Sequence, residues 1–257
     1  GAGLLFWFIK SFIKEKVDTK DFPRLMLCGL LGVAANQLFF FHGLNLTSPI
    51  DASIIITAVP IVAVVFGSIL LKEEITKNKI LGITIGGIGA VLLIAYGNQS
   101  EGTSSLLGNL FVFINAIAFG LYLVLVKPLM KKYNSITIVS WVFLFGFVCM
   151  FPFGISDIMN TDFSAFTSQT YLAVAFVIIG TTFLAYLFNT YALNFVSPSV
   201  TGSYIYLQPV VSFIMVSIYA YVLGYSEYAQ DINPVKITSC FLVIIGVYLI
   251  SKTPKKK

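Results

Sequence analysis

Residues 44–60 read LNLTSPIDASIIITAVP, and residues 193–209 read LNFVSPSVTGSYIYLQP. At this shift of 149 residues Leu44 falls on Leu193, Asn45 on Asn194, Ser48 on Ser197, Pro49 on Pro198 and Pro60 on Pro209. Chance rarely keeps two prolines in register across apolar stretches that otherwise differ. Ser-Pro is a helix start, because proline at the first helical position loses no hydrogen bond. The second proline removes an N–H donor in mid-helix, so each copy is predicted to be an apolar helix broken part-way along. Further on, at a shift of 157, Ile88-Gly89 matches Ile245-Gly246. The chain reads as a duplication.

The surroundings of both copies are as apolar as the copies themselves. Of 257 residues, 58% are hydrophobic and only 11% charged, against about 25% charged in soluble domains. So few ionisable groups cannot cover the surface of a soluble particle of this size, which excludes soluble enzymes and nucleic-acid binders. The net charge of +5 does not rescue a nucleic-acid reading, because the lysines fall between apolar runs rather than on one face. Runs free of Asp, Glu, Lys and Arg cover 25–50, 52–71, 80–100, 102–126, 133–156 and 163–226. A helix needs about 20 residues to cross a bilayer. Crossings are therefore expected near 23–46, 49–71, 79–97, 106–127, 135–156, 170–195, 198–223 and 234–251, with residues 1–13 as the end of another helix. Barrel strands would be about 10 residues long and alternating, which these runs are not.

Two crossings precede the third helix of the second copy, where the first copy has only residues 1–13. The expected fold is thus an all-α, ten-helix inverted-repeat protein, five helices per repeat, here without its first helix and most of its second. Residues 1–97 are the remnant of the first repeat, 98–105 an outer linker, 106–251 the second repeat and 252–257 a basic tail. An odd number of crossings per repeat inverts the second copy. Placing residues 10–24 in the cytoplasm puts 15 of the 16 basic residues on that side, including Lys255 to Lys257 at the C-terminus. The exception is Lys236, expected to reach the interface from its helix end. An inner-membrane protein with a cytoplasmic C-terminus is implied.

Few side chains could carry covalent chemistry. Cys28, Cys149 and Cys240 stand singly in separate apolar runs, and His42 is the one histidine. No nucleophile, base or metal set is within reach, so no enzyme, cofactor or metal site is expected. No G-x-x-x-x-G-K-[ST] motif is present to drive transport with ATP. Asp51 follows Ser48 by three residues, where a carboxylate suits the helix start, and it is also the candidate for proton coupling. Uncharged polar and aromatic side chains remain at mid-helix depth. Gln37 and Tyr186 are repeat equivalents, as are Phe40 and Asn189. Asn115, Phe119 and Tyr122 share a helix face, Tyr204 and Gln208 lie one turn before the helix break at Pro209, and Thr57 lies one turn before that at Pro60. Interhelical hydrogen bonding explains such residues one at a time. Their recurrence in both copies points to a central neutral cavity between the repeats, with broken helices beside it. Glycines 82, 86, 87 and 89 form a small-residue face that packs inside the protomer or against a second copy in a homodimer.

The Ser48-Pro49 start, Ala52-Ser53, mid-helix Pro60, Leu71-Lys72-Glu73, the Gly82 and Gly89 spacing and the degenerate second copy resemble the EamA-like branch of the drug/metabolite transporter superfamily. The resemblance spans the whole chain. Two features depart from the family pattern: Leu223-Gly224-Tyr225 lacks the acidic residue often found after the glycine, and the family's first, cavity-lining helix is absent. The resemblance implies a secondary transporter working by alternating access, here an exporter of a small metabolite such as an amino acid. The partners are then a small solute and the lipid bilayer, not nucleic acid. A non-transporting membrane scaffold is the alternative. The lack of basic side chains at mid-depth argues against phosphorylated solutes, which need cationic clamps.

Overall fold

The computed structural model describes residues 1–72, 76–96, 105–195, 205, 207–222 and 234–251. These residues are helical, with no strand among them. In chain order α1 is Ala2–Lys10. Helix α2 runs through Phe22–Gly29, a π-helical Leu30–Ala35 and Asn36–Leu44. Helix α3 has two segments, Pro49–Ile56 and Val59–Leu71. Then come α4 (Lys77–Tyr96), α5 (Leu106–Val126) and α6 (Ser135–Asn160). Helix α7 comprises Ser168–Phe176, a π-helical Val177–Leu184 and Ala185–Phe195. Helix α8 is Leu207–Ser217 with a π-helical end at Ile218–Val222, and α9 is Pro234–Ser251. Among the described residues five stretches are long and apolar enough to cross a membrane: Thr19–Leu44, Pro49–Leu71, Leu106–Lys131, Ser135–Asn160 and Ser168–Ala192. Helices α4, α8 and α9 lie where the other three crossings are expected. The expected linker at 98–105, apart from Ser105, and the tail at 252–257 lie outside the described residues.

The Ser48-Pro49 start folds as its chemistry dictates. Ser48 is the cap, its hydroxyl accepting from the Asp51 N–H at 3.1 Å, and Pro49 opens the helix. The break at Pro60 is equally local. Thr57 and Ala58 form the turn between the two segments of α3, with N–H bonds to Ile54 and Ile55 three residues back. Pro60 has no N–H for the Ile56 carbonyl one turn earlier. Pro209 lies buried in the first turn of α8, and the residues before that helix are outside the described set, as is Tyr204. The widened turns also obey the sequence alignment: residues 30–35, shifted by 149, fall on 179–184, within the π-helical stretch of α7.

The chain divides into two compact units, residues 1–35 with 125–197, and 36–124 with 198–257. In the first, α6 is the centre on which α1, α2 and the later part of α7 pack. Trp7 Nε1 donates to the Ser140 carbonyl at 3.0 Å, and Ser140 Oγ donates to the Phe6 carbonyl at 3.1 Å. Phe6 is fully buried, its ring 4.9 Å from Phe143 and 4.7 Å from Phe183. The segment before α2 is tied to the start of α6. Asp21 accepts from Tyr133 Oη at 2.7 Å and Lys132 Nζ at 3.0 Å, and Glu15 accepts from the Asn134 N–H.

The second unit is built on the crossing of α4 and α9. Gly82 and Gly86 face Gly246, and a Cβ on Gly246 would stand 2.5 Å from both the Gly82 carbonyl oxygen and the Gly86 nitrogen. Gly89 meets the next turn of α9, at the Ser239 carbonyl and Leu242. The small-residue face is thus used inside the second unit. Around it Ile50, Ile54, Ile55, Leu93, Val112 and Val243 form the fully buried apolar core.

Candidate functional site

A cleft of about 420 Å³ opens within the second unit. Its walls are Phe40 and Leu44 of α2, Pro49, Ala52, Ser53 and Ile56 of α3, and Gln208, Val211 and Ser212 of α8. Each helix contributes one face: the α3 residues recur at three- and four-residue intervals, as do those of α8. Ser53 Oγ is turned back to the Ile50 carbonyl at 2.7 Å. Ser53, Gln208 and Ser212 are the three polar side chains in an otherwise apolar wall, and none of them is charged.

The predicted site residues divide among several environments. Gln208 lines the cleft, and Gln37 stands one turn before Phe40 on α2. Thr57 is fully buried, and its hydroxyl donates to the Ile54 carbonyl. Asn115 Nδ2 donates to the Asn36 carbonyl at 2.7 Å. The Phe119 and Tyr122 rings lie 5.6 Å apart along α5, tilted by 34°, with Tyr122 buried. In the first unit Tyr186 Oη donates to the Gly32 carbonyl at 2.6 Å and meets the Phe143 ring edge-on at 5.0 Å. Asn189 is half-buried one turn later.

One of these bonds has a local cause. A π-helical turn leaves carbonyls out of the regular ladder, and apolar surroundings force other groups to take them up. Gly32 lies inside the widened turn of α2, and a tyrosine hydroxyl accordingly reaches it. Tyr186→Phe is therefore expected to cost about 1 kcal/mol, the scale of hydrogen bonds between membrane helices. The measurement is thermal unfolding in detergent. A melting temperature equal to that of the wild type would show that the Gly32 carbonyl does not depend on the hydroxyl.

The charges behave differently from expectation. Lys236 does not reach the interface: its side chain is 0% exposed and Nζ lies 2.9 Å from Asp51 Oδ1, which is itself 0% exposed. The reason is that α9 packs its lysine-bearing face inward, toward the start of α3, where a carboxylate is waiting. Asp51 also accepts from Asn109 Nδ2 at 3.4 Å, while Ser48 rather than Asp51 supplies the cap. Neither charge points into the cleft, since Asp51 lies across α3 from Pro49, Ala52, Ser53 and Ile56. His42 Nδ1 donates back to the Leu38 carbonyl at 2.9 Å. The pair could have been suspected from the sequence. Lys236 is the one basic residue outside the segments expected in the cytoplasm, and Asp51 is an acid that interrupts an apolar run.

Known proteins share both the sequence and this architecture. An uncharacterized transporter of Archaeoglobus fulgidus is 26% identical over 238 residues, covering 92% of this chain and 80% of that protein. The uncharacterized transporter YyaM of Bacillus subtilis is 26% identical over 237 residues, 91% of this chain and 75% of its own length. A probable terminal-alkyne amino-acid exporter of Streptantibioticus cattleyicolor is 25% identical over 236 residues, 91% of this chain and 74% of the exporter. A solved crystal structure shares the fold with a TM-score of 0.63 at 17% identity, covering 98% of this chain and 85% of its own. The profile of the EamA-like transporter family matches residues 1–95 and again 106–252. With apolar helices long enough to cross a membrane and both segments matched, this chain belongs to the EamA-like transporter family.

Proposed function

We propose that the protein is a secondary transporter that exports a small neutral or zwitterionic metabolite, such as an amino acid, by alternating access of two inverted repeats. The observation that carries the solute class is the cleft wall, which among the described residues is apolar with three uncharged polar side chains and no cationic clamp. Such a wall suits an apolar solute body with one polar end. The Streptantibioticus relative, named as an amino-acid exporter, supports the same class. The recurrence of a π-helical stretch at aligned positions supports the duplication. Gln208 and Gln37 are assigned to solute contact on the cleft side. Asn115, Phe119, Tyr122 and Thr57 are assigned to the same unit, and Tyr186 and Asn189 to solute-facing roles in the first unit. Asp51 remains the one acid of the second unit that is both buried and described, so any proton-coupled step runs through it or else is absent. The inner membrane, with the C-terminus in the cytoplasm, follows from the distribution of lysines.

The test is uptake of a panel of radiolabelled L-amino acids into proteoliposomes. Wild-type flux above empty vesicles, reduced about tenfold by Gln208→Ala at equal expression, is expected; the loss of one hydrogen bond between the amide and the solute is of that size. Absence of flux for every member of the panel would favour the scaffold alternative. Unchanged kinetics in Gln208→Ala would remove this residue from the site.

A further inference from the structure

On the side of α3 away from the cleft, polar side chains from three helices meet in a dry pocket. Asp51 and Lys236 are both 0% exposed, with Nζ 2.9 Å from Oδ1. Lys236 Nζ also donates to Ser48 Oγ at 3.5 Å, and Asn109 Nδ2 donates to Asp51 Oδ2 at 3.4 Å. The Thr47 hydroxyl donates to Asn109 Oδ1, which turns the amide's N–H side toward the carboxylate. Ser239 follows Lys236 by one turn on the same buried face of α9. It too is 0% exposed, and its hydroxyl has no hydrogen-bond partner among the described residues.

An ionised carboxylate sealed from water needs a counter-charge beside it. Oxygen atoms from a carboxylate and from hydroxyls are the ligands that hard cations take. A lysine ammonium is a compact point charge with three donors, able to satisfy the same oxygens. It differs from a free ion in being tethered.

We propose that Asp51, Ser48 and Ser239 form a monovalent-cation site whose resident cation is the chain's own Lys236 ammonium. The protein then carries the cation permanently and takes none from solution at this place. A fixed charge cannot leave with an ion gradient, so, on the transporter reading proposed above, this place gives no sodium coupling. Shortening Lys236 to alanine removes the tethered cation, leaves room for a free one, and gives it the Ser239 hydroxyl as a further oxygen.

The experiment compares the melting temperatures of wild type, Lys236→Ala and Asp51→Asn/Lys236→Ala in detergent, in matched sodium chloride and N-methyl-D-glucamine chloride. The wild type is expected to melt alike in both salts. Lys236→Ala should melt well below it in N-methyl-D-glucamine and recover at least half of the loss in sodium, since an ion that binds only the folded form stabilises it. The double variant, with no carboxylate to balance, should be indifferent to the salt. A Lys236→Ala protein that ignores sodium, or that fails to fold in it, overturns the proposal. So does a sodium response that persists without Asp51, or one in the wild type.

Discussion

Lys236→Met is expected to cost the folded protein about 3–5 kcal/mol, the penalty for stranding one member of a buried ion pair. Methionine occupies the space of the lysine stem, so neither water nor a free ion can enter to balance Asp51, which stays at 0% exposure. The cost arises from the carboxylate left behind rather than from the bond lost. For that reason Asp51→Asn/Lys236→Met should recover most of the stability, because a buried pair replaced as a unit is often neutral. Denaturant unfolding followed by far-ultraviolet circular dichroism reads all four proteins of the cycle, Asp51→Asn included. If the two single losses simply add in the double variant, the charges are not coupled and the assignment fails.

Gly246→Val is expected to abolish folded protein altogether. A Cβ at this position would lie 2.5 Å from the Gly82 carbonyl oxygen and 2.7 Å from the Gly86 Cα, and both neighbours are backbone. Side chains can rotate out of the way of an added methyl, and overpacking then costs about 1–3 kcal/mol. Backbone cannot, so α4 and α9 would have to separate along the seam that organises the second unit. Gly87→Ala provides the contrast. A Cβ there meets nothing within 4 Å, so the change should be neutral or stabilising by up to about 1 kcal/mol through helix propensity. The yield of monodisperse protein on size exclusion, measured side by side, checks both. A folded Gly246→Val protein would mean that the seam is not tight.

The helices could be read from the sequence because the signal is long and cumulative. Charge-free runs marked out 49–71 and 135–156, and the helices are Pro49–Leu71 and Ser135–Asn160. The second overruns its prediction because the run of charge-free residues ends at Ser156 while the backbone ladder carries on to Asn160. The recurrence within the sequence was legible from two prolines, whose backbone demands survive when side chains drift. The widened turns of α2 and α7 were not, since a π turn displaces the helical period by a single residue and no proline marks it at Leu30–Ala35. The Asp51 and Lys236 pair was half legible. Each charge stood out as an anomaly, but their meeting depends on how α3 and α9 pack, which no local pattern encodes. The cleft is similar: Gln208 was found by its polarity, whereas Ser53 and Ser212 look like ordinary small residues of apolar helices.

The widened turn at Leu30–Ala35 is in effect one residue more than a regular α-helix would hold, and it sets the phase of everything after it in α2. One residue corresponds to a rotation of about 100° around the helix axis. A chain with one residue deleted from this stretch, closing the turn to an ordinary α-helix, would still span the same apolar distance and still look well-formed as a helix. Its segment Asn36–Leu44 would be turned by more than a quarter circle, carrying Phe40 and Leu44 off the cleft wall and bringing a different edge of the helix to face Pro49 and Gln208. An insertion or deletion at this one position would therefore redraw the cleft wall without altering a single cleft residue.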